Sequence, residues 1–299
     1  MTSDTAPHRP DSAARSHTPP RIGIKLAPQH TTVAALRGVW QVADEAGFDS
    51  CWNFDHFASI GSDDPSGDVF EGWSLLAAMA EGTRRVRIGC MVTGNTYRHP
   101  GVLAKMATTV DHLSGGRLEF GLGGAWAEVE HTMLGLEFGT VRERLDRLEE
   151  ACQVIRSLWT QPTTTFHGTH YRLTDALSNP KPVQKPGPPL WIGGSGRKRT
   201  LRITAKYADA WNAAGGSVEE LAELSAVLDQ HCADVGRDPA AIRRTVQVRY
   251  ADQPEELLTA VEAYARIGIG EVIVVLRGGD PVASAEEVAR LLPRLRSIG

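Results

Sequence analysis

Cysteine is scarce in this 299-residue chain. There are four (Cys51, Cys90, Cys152, Cys232), and no two form a CxxC pair. That excludes a zinc ribbon and a disulfide scaffold, and it fits a reducing cytoplasm. No apolar run approaches the ~18 residues that a membrane helix needs. An excess of positive charge is also missing: Lys plus Arg is 32, Asp plus Glu is 36, and the net charge is −4. Without a basic stripe, nucleic acid is not an expected partner. No GxGxxG follows the first β-rich run, which argues against an open dinucleotide-binding sheet. No GxxxxGK[ST] loop occurs. No strand carries the His-x-His of a metal hydrolase barrel, so no metal site is expected. Residues 1–20 are rich in Pro, Ser, Thr and His and lack the apolar core of a signal peptide. They read as a disordered tail.

What is present is alternation. Strand-like runs at Ile22–Leu26, Ser50–Phe54, Val86–Val92, Leu118–Leu122, Pro189–Ile192, Ala208–Asn212, Thr245–Arg249 and Glu271–Leu276 alternate with helical runs. In residues 32–46, for example, Leu36, Val39, Trp40 and Ala43 recur at helical spacing, and Gly47 supplies a left-handed cap. Ser217 with Glu220 and Ser284 with Glu287 read as capping boxes. Length alone would allow two domains. Eight βα units instead predict an α/β protein, one (β/α)8 TIM barrel over 21–299. The rhythm breaks at 160–188, where Thr163–Phe166 and His170–Leu173 flank Gly168 and a Pro-rich stretch follows. This predicts an inserted hairpin, either a lid or a surface connector.

In such a barrel the chemistry sits at the carboxyl ends of the strands. Strand two ends in Trp52-Asn53-Phe54-Asp55-His56-Phe57, and its loop at 57–70 is polar and Gly-rich. An adjacent Asp and His there can move protons, since imidazole titrates near neutrality. Strand three ends in small polar residues around Thr93 and Asn95, which let a flat ligand approach the backbone. Its Cys90 and Met91 side chains read as core. Strand four ends in Gly123-Gly124-Ala125-Trp126, where the glycines clear space and Trp126 offers a wall. Strand five runs through Gly193-Gly194-Ser195-Gly196-Arg197-Lys198-Arg199 into a helix. Glycine amides, a helix N-terminus and cations together favour a phosphate. His131, His167 and His170 read as structural histidines.

These strand ends, in this order, resemble the luciferase-like monooxygenase superfamily, and most closely its deazaflavin branch, which uses coenzyme F-420. The resemblance is carried by WNFDHF at 52–57, by the stretch 85–126 containing TYRHP and DHLSGGR, by 144–159 and by 188–212. It implies a barrel with an insertion, a homodimer, and a ring system seated in the barrel mouth. A non-proline cis peptide at Met91–Val92 would back that ring. Asp55 and His56 would face ring or substrate, with Trp52 and Trp126 lining the substrate side. Gly193–Arg197 would hold the phosphate. The sugar-phosphate dehydrogenases of the branch carry Glu where Trp126 stands, which points to a less polar substrate here. The expected activity is hydride transfer between the deazaflavin and a small organic substrate. The alternatives are a reduced-FMN monooxygenase and a non-catalytic cofactor-binding barrel, and a flavin or deazaflavin reductase is the expected supplier of reduced cofactor.

Overall fold

The computed structural model describes residues 19–61, 66–276 and 279–298. The expected tail up to residue 18, and positions 62–65 of the loop at 57–70, lie outside the described residues. Eight parallel strands close in the order β1-β10-β9-β8-β7-β4-β3-β2. They are β1 (Arg21–Lys25), β2 (Ser50–Asp55), β3 (Arg87–Gly94), β4 (Leu118–Gly123), β7 (Leu190–Gly193), β8 (Ala210–Ala213), β9 (Arg243–Arg249) and β10 (Glu271–Val275). The expected TIM barrel is therefore present. Strand alternation sorts side chains to its two faces. Ile22 and Ile24 of β1 join the apolar layer under the helices, whereas Trp52, Met91, Trp191, Ala210 and Ile273 form a separate cluster inside the barrel.

The interior is shaped by where glycine stands. A Cβ on Gly89 would lie 2.4 Å from the Trp52 ring, so the missing side chain is the space that this indole fills. The Trp52 N–H donates to Ser50 Oγ at 2.7 Å. Trp52 is 1% exposed and packs edge-on against Trp191, with centroids 4.6 Å apart. Its expected place on the substrate side is thus corrected: it plugs the barrel below the mouth, since β2 is buried on both faces.

Around the barrel run α1 (Val33–Ala46), α2 (Gly72–Gly82), α3 (Pro100–Leu113), α5 (Val141–Thr160), α6 (Thr200–Tyr207), α7 (Val218–Asp234), α8 (Pro254–Arg266) and α9 (Pro281–Arg296). Helix α1 has the expected Gly47 cap, at φ 78°, and buries Leu36, Val39, Trp40 and Ala43. Two capping expectations change. Ser217 accepts from the Glu220 amide at 3.2 Å, but no reciprocal bond from the Glu220 side chain closes the box among the described residues. Helix α9 starts earlier than Ser284: Asp280 caps it by accepting from Val282 and Ala283, with Pro281 pre-set for the first turn. The insertion contains the hairpin β5 (Thr164–His167) and β6 (Arg172–Ala176), paired antiparallel. The Glu150 carboxylate of α5 accepts from the amides of Thr169, His170 and Tyr171, so the turn is fastened to the barrel helices. The short helix α4 (Glu128–Leu134) above β4 was not foreseen.

Candidate active site

The carboxyl end of β2 carries two polar residues with different duties. Asp55 is fully buried and accepts a bidentate pair from Arg98, at 2.6 and 3.0 Å. Arg98 also bonds Glu71. Burial pushes the Asp55 carboxyl upward, and the guanidinium works against that. Both Asp55 oxygens are taken, so this carboxylate holds the strand end in place and the expected proton-transfer role does not fit it.

His56 is arranged otherwise. Its Nδ1 lies 3.1 Å from both oxygens of Glu130, a fully buried residue of α4. The same carboxylate accepts from the amides of Phe57 and Ala58, each at 3.1 Å, and from the Tyr97 hydroxyl. Burial raises the Glu130 carboxyl, but the bonds from His56 and Tyr97 outweigh it and hold the group below its usual range. Burial and the neighbouring carboxylate push the Tyr97 hydroxyl up, so it stays a donor. An ionised acceptor fixes the proton of His56 on Nδ1. Nε2 then carries the free lone pair, and it has no hydrogen-bond partner among the described residues. Trp126 meets the same imidazole edge-on at 5.5 Å and is 65% exposed.

The floor of the mouth is β3 and β4. The Met91–Val92 peptide is cis, where the resemblance placed it. Met91 points into the buried interior while Val92 is half-exposed. A Cβ on Gly123 or Gly193 would come within 2.8 or 2.9 Å of Val92 Cγ2. These glycines therefore make room for the Val92 side chain, which packs against both of them. Gly124 is also half-buried, and a Cβ there would meet Leu145 at 3.0 Å. Thr93 is buried, with its hydroxyl accepting from Trp73 at 2.9 Å. Asn95 is 2% exposed, and its amide reaches toward Tyr171 beside a polar cleft of about 350 Å³.

The glycine loop after β7 leads into α6, whose first turn has no side-chain cap. Gly194 sits at φ 120°, a conformation open to glycine, and its carbonyl accepts from Trp211 at 2.9 Å. Ser195 is half-buried and Gly196 exposed. The cations beside the loop are less free than the sequence suggested. Arg197 pairs with Glu223 of α7 at 2.7 Å, and Arg199 pairs with Asp146 of α5. Such exposed pairs are weak, so an incoming anion competes with them at small cost. Loop amides, uncapped helix and glycine-cleared floor together fit a flat ring carrying a phosphate.

Four site residues were not singled out. Glu130 and Tyr97 form the histidine's acceptor set, and Arg98 secures Asp55. Lys25 reaches the barrel interior from β1. His131, in contrast, is structural: its Nδ1 donates to the Ala127 carbonyl at 2.8 Å and its Nε2 accepts from Thr96 at 2.6 Å. Only the pair Glu128 and Glu130 next to a Gly-rich strand end could have flagged α4.

Residues 12–292 match the family model described as luciferase-like monooxygenase. The chain belongs to that family, whose relatives include dehydrogenases and monooxygenases. It is 32% identical over 240 residues to an F-420-dependent glucose-6-phosphate dehydrogenase of Microbacterium testaceum, covering 79% of this chain and 70% of that one. It is 26% identical to an FMNH(2)-dependent dimethylsulfone monooxygenase of Pseudomonas putida, covering 79% and 66%. In fold it resembles an F-420-dependent secondary alcohol dehydrogenase solved with an F-420–acetone adduct, with a TM-score of 0.84 at 19% identity over 93% and 99% of the chains.

Proposed function

We propose that this chain is a coenzyme F-420-dependent oxidoreductase that moves a hydride between the deazaflavin and a small alcohol or carbonyl compound. The observation that carries the reading is the His56–Glu130 pair beside a glycine-cleared floor. A hydride leaving a carbinol carbon requires the hydroxyl proton to leave as well. Nε2 of His56 is the base that takes it, and the Glu130 carboxylate stabilises the imidazolium that results. Bound cofactor would supply the hydride acceptor; the protein supplies position and charge. Val92, Gly123 and Gly193 would support the ring, and Gly194–Arg197 with the start of α6 would receive the phosphate. Trp126 in place of a charged side chain favours a substrate with apolar substituents. A homodimeric assembly, a cytoplasmic location and an insertion acting as connector belong to the same reading.

The second reading, reduced FMN with dioxygen, is supported by the similarity to the Pseudomonas putida enzyme. Titration of the purified protein with each cofactor decides between them. Quenching of deazaflavin fluorescence with saturable micromolar affinity, and alcohol-dependent bleaching of the cofactor, is the expected result. Binding of reduced FMN with oxygen uptake and no deazaflavin binding would overturn it. If cofactor binds but His56→Ala leaves turnover unchanged, the assignment of His56 fails.

A further inference from the structure

Lys25 ends β1 inside the barrel, 8% exposed. Its ammonium donates to the Met91 carbonyl at 3.0 Å and to Gln247 Oε1 of β9 at 2.8 Å. Gln247 donates onward to Asn212 Oδ1 of β8 at 2.8 Å, and Asn212 to the Thr245 hydroxyl at 2.9 Å. Every partner in this arc is neutral. No carboxylate pairs with Lys25 among the described residues. Its titratable neighbour is Cys90 of β3, whose thiol burial holds neutral by pushing it well up. A buried cation without an anion is costly, and such a group is the signature of a site that receives one. Two of the three ammonium protons are committed, and Met91 is the residue before the half-exposed Val92 at the floor of the mouth.

Charge accounting says what the missing anion is. A hydride is a proton with two electrons. A ring that accepts one becomes a unit more negative, while the substrate loses a hydride from carbon and a proton from oxygen, the proton going to His56. The added charge stays on the ring. We propose that Lys25 is the counter-charge for it, so that the site holds the reduced cofactor more tightly than the oxidised one. This inference rests on the cofactor reading above and adds a residue and a preference to it. Burial lowers the ammonium to about 8, so the counter-charge is present at neutral pH and fades above it.

The test is the ratio of affinities for oxidised and reduced coenzyme F-420, measured by anaerobic fluorescence or calorimetric titration of the full chain. Lys25→Met should lower affinity for the reduced form about 10–100-fold while the oxidised form changes less than about threefold. That range is one unit charge at ~6–12 Å in an effective dielectric of ~20. Melting should move little, since the variant removes a buried charge but leaves the Met91 carbonyl and Gln247 Oε1 without their donor. Independently of any variant, the wild-type preference for the reduced form should decline between about pH 7 and 10. An unchanged ratio in Lys25→Met, or an equal loss for both forms, would overturn the proposal and leave Lys25 a brace for the Met91 carbonyl. Failure of wild type to bind either form would overturn the cofactor reading, and this assignment with it.

Discussion

Replacing Glu130 by Gln tests the proton path at its least obvious member. The carboxylate accepts from four donors: His56, Tyr97 and the amides of Phe57 and Ala58 converge on two oxygens, with His56 reaching both. A Gln can keep its oxygen on the two amides. Its NH2 then faces Tyr97 and His56 Nδ1. Tyr97 can turn its hydroxyl to accept, but His56 can accept only by moving its proton to Nε2. The tautomer flips, and the nitrogen that should take the substrate proton is already occupied. Loss of a positioned general base costs about 10²–10⁴-fold in kcat. The fold loses a charge-assisted set, roughly 1.5–3 kcal/mol. Two assays follow. Two-bond ¹H–¹⁵N correlation spectra should show Nδ1–H in wild type and Nε2–H in Glu130→Gln. Cofactor bleaching with a panel of secondary alcohols should show the loss in kcat with cofactor affinity kept. The double variant with His56→Ala should be no slower than His56→Ala alone. An unchanged tautomer together with activity within threefold of wild type would refute the reasoning.

Other outcomes are expected. Arg98→Met strands the buried Asp55 charge and should cost about 3–5 kcal/mol in denaturant unfolding, and Asp55→Asn in the same background should recover part of it. Gly193→Val sets a Cβ only 2.9 Å from Val92 Cγ2 and forces that side chain to shift at the floor of the mouth. It should cut cofactor affinity at least about tenfold, with barrel circular dichroism retained. Asp44 accepts from the amides of Arg84, Arg85 and Val86. Burial raises its carboxyl, but those three bonds outweigh it and the net direction is down. Its stabilisation is therefore full above the unfolded carboxyl range near 4 and is lost as pH falls through the lowered folded value, and Asp44→Asn should flatten the acid limb of a stability–pH curve. Trp126→Ala leaves a largely exposed position, so melting should barely move, while KM for alcohols with apolar substituents should rise several-fold.

The barrel was legible because its signals are local. Alternating β-branched strands, helical stripes such as Leu36-Val39-Trp40-Ala43, and glycine caps each need only a short window. Position at a strand end then pointed to His56, Gly123 and Gly193. What stayed hidden depends on distance along the chain. His56 and Glu130 are 74 residues apart, and nothing in either segment announces the other. Asp55 looked catalytic because its partner Arg98 lies on another strand's loop. Helix α4 was missed because Val129, Met133 and Leu134 are all more than half exposed, so it has no buried stripe to detect. Trp52 was misplaced for the opposite reason: β2 is buried throughout, and no alternation told floor from wall.

Helix α4 has a further consequence. Its apolar side chains face outward and its buried residues are Glu130 and His131. It is moored by hydrogen bonds and charge, where its neighbours adhere through oil. Such a mooring weakens little on cooling but gives way on acidification, when the carboxylate takes up a proton. Acid should therefore release α4, and with it the proton path of His56, while the barrel beneath is still folded.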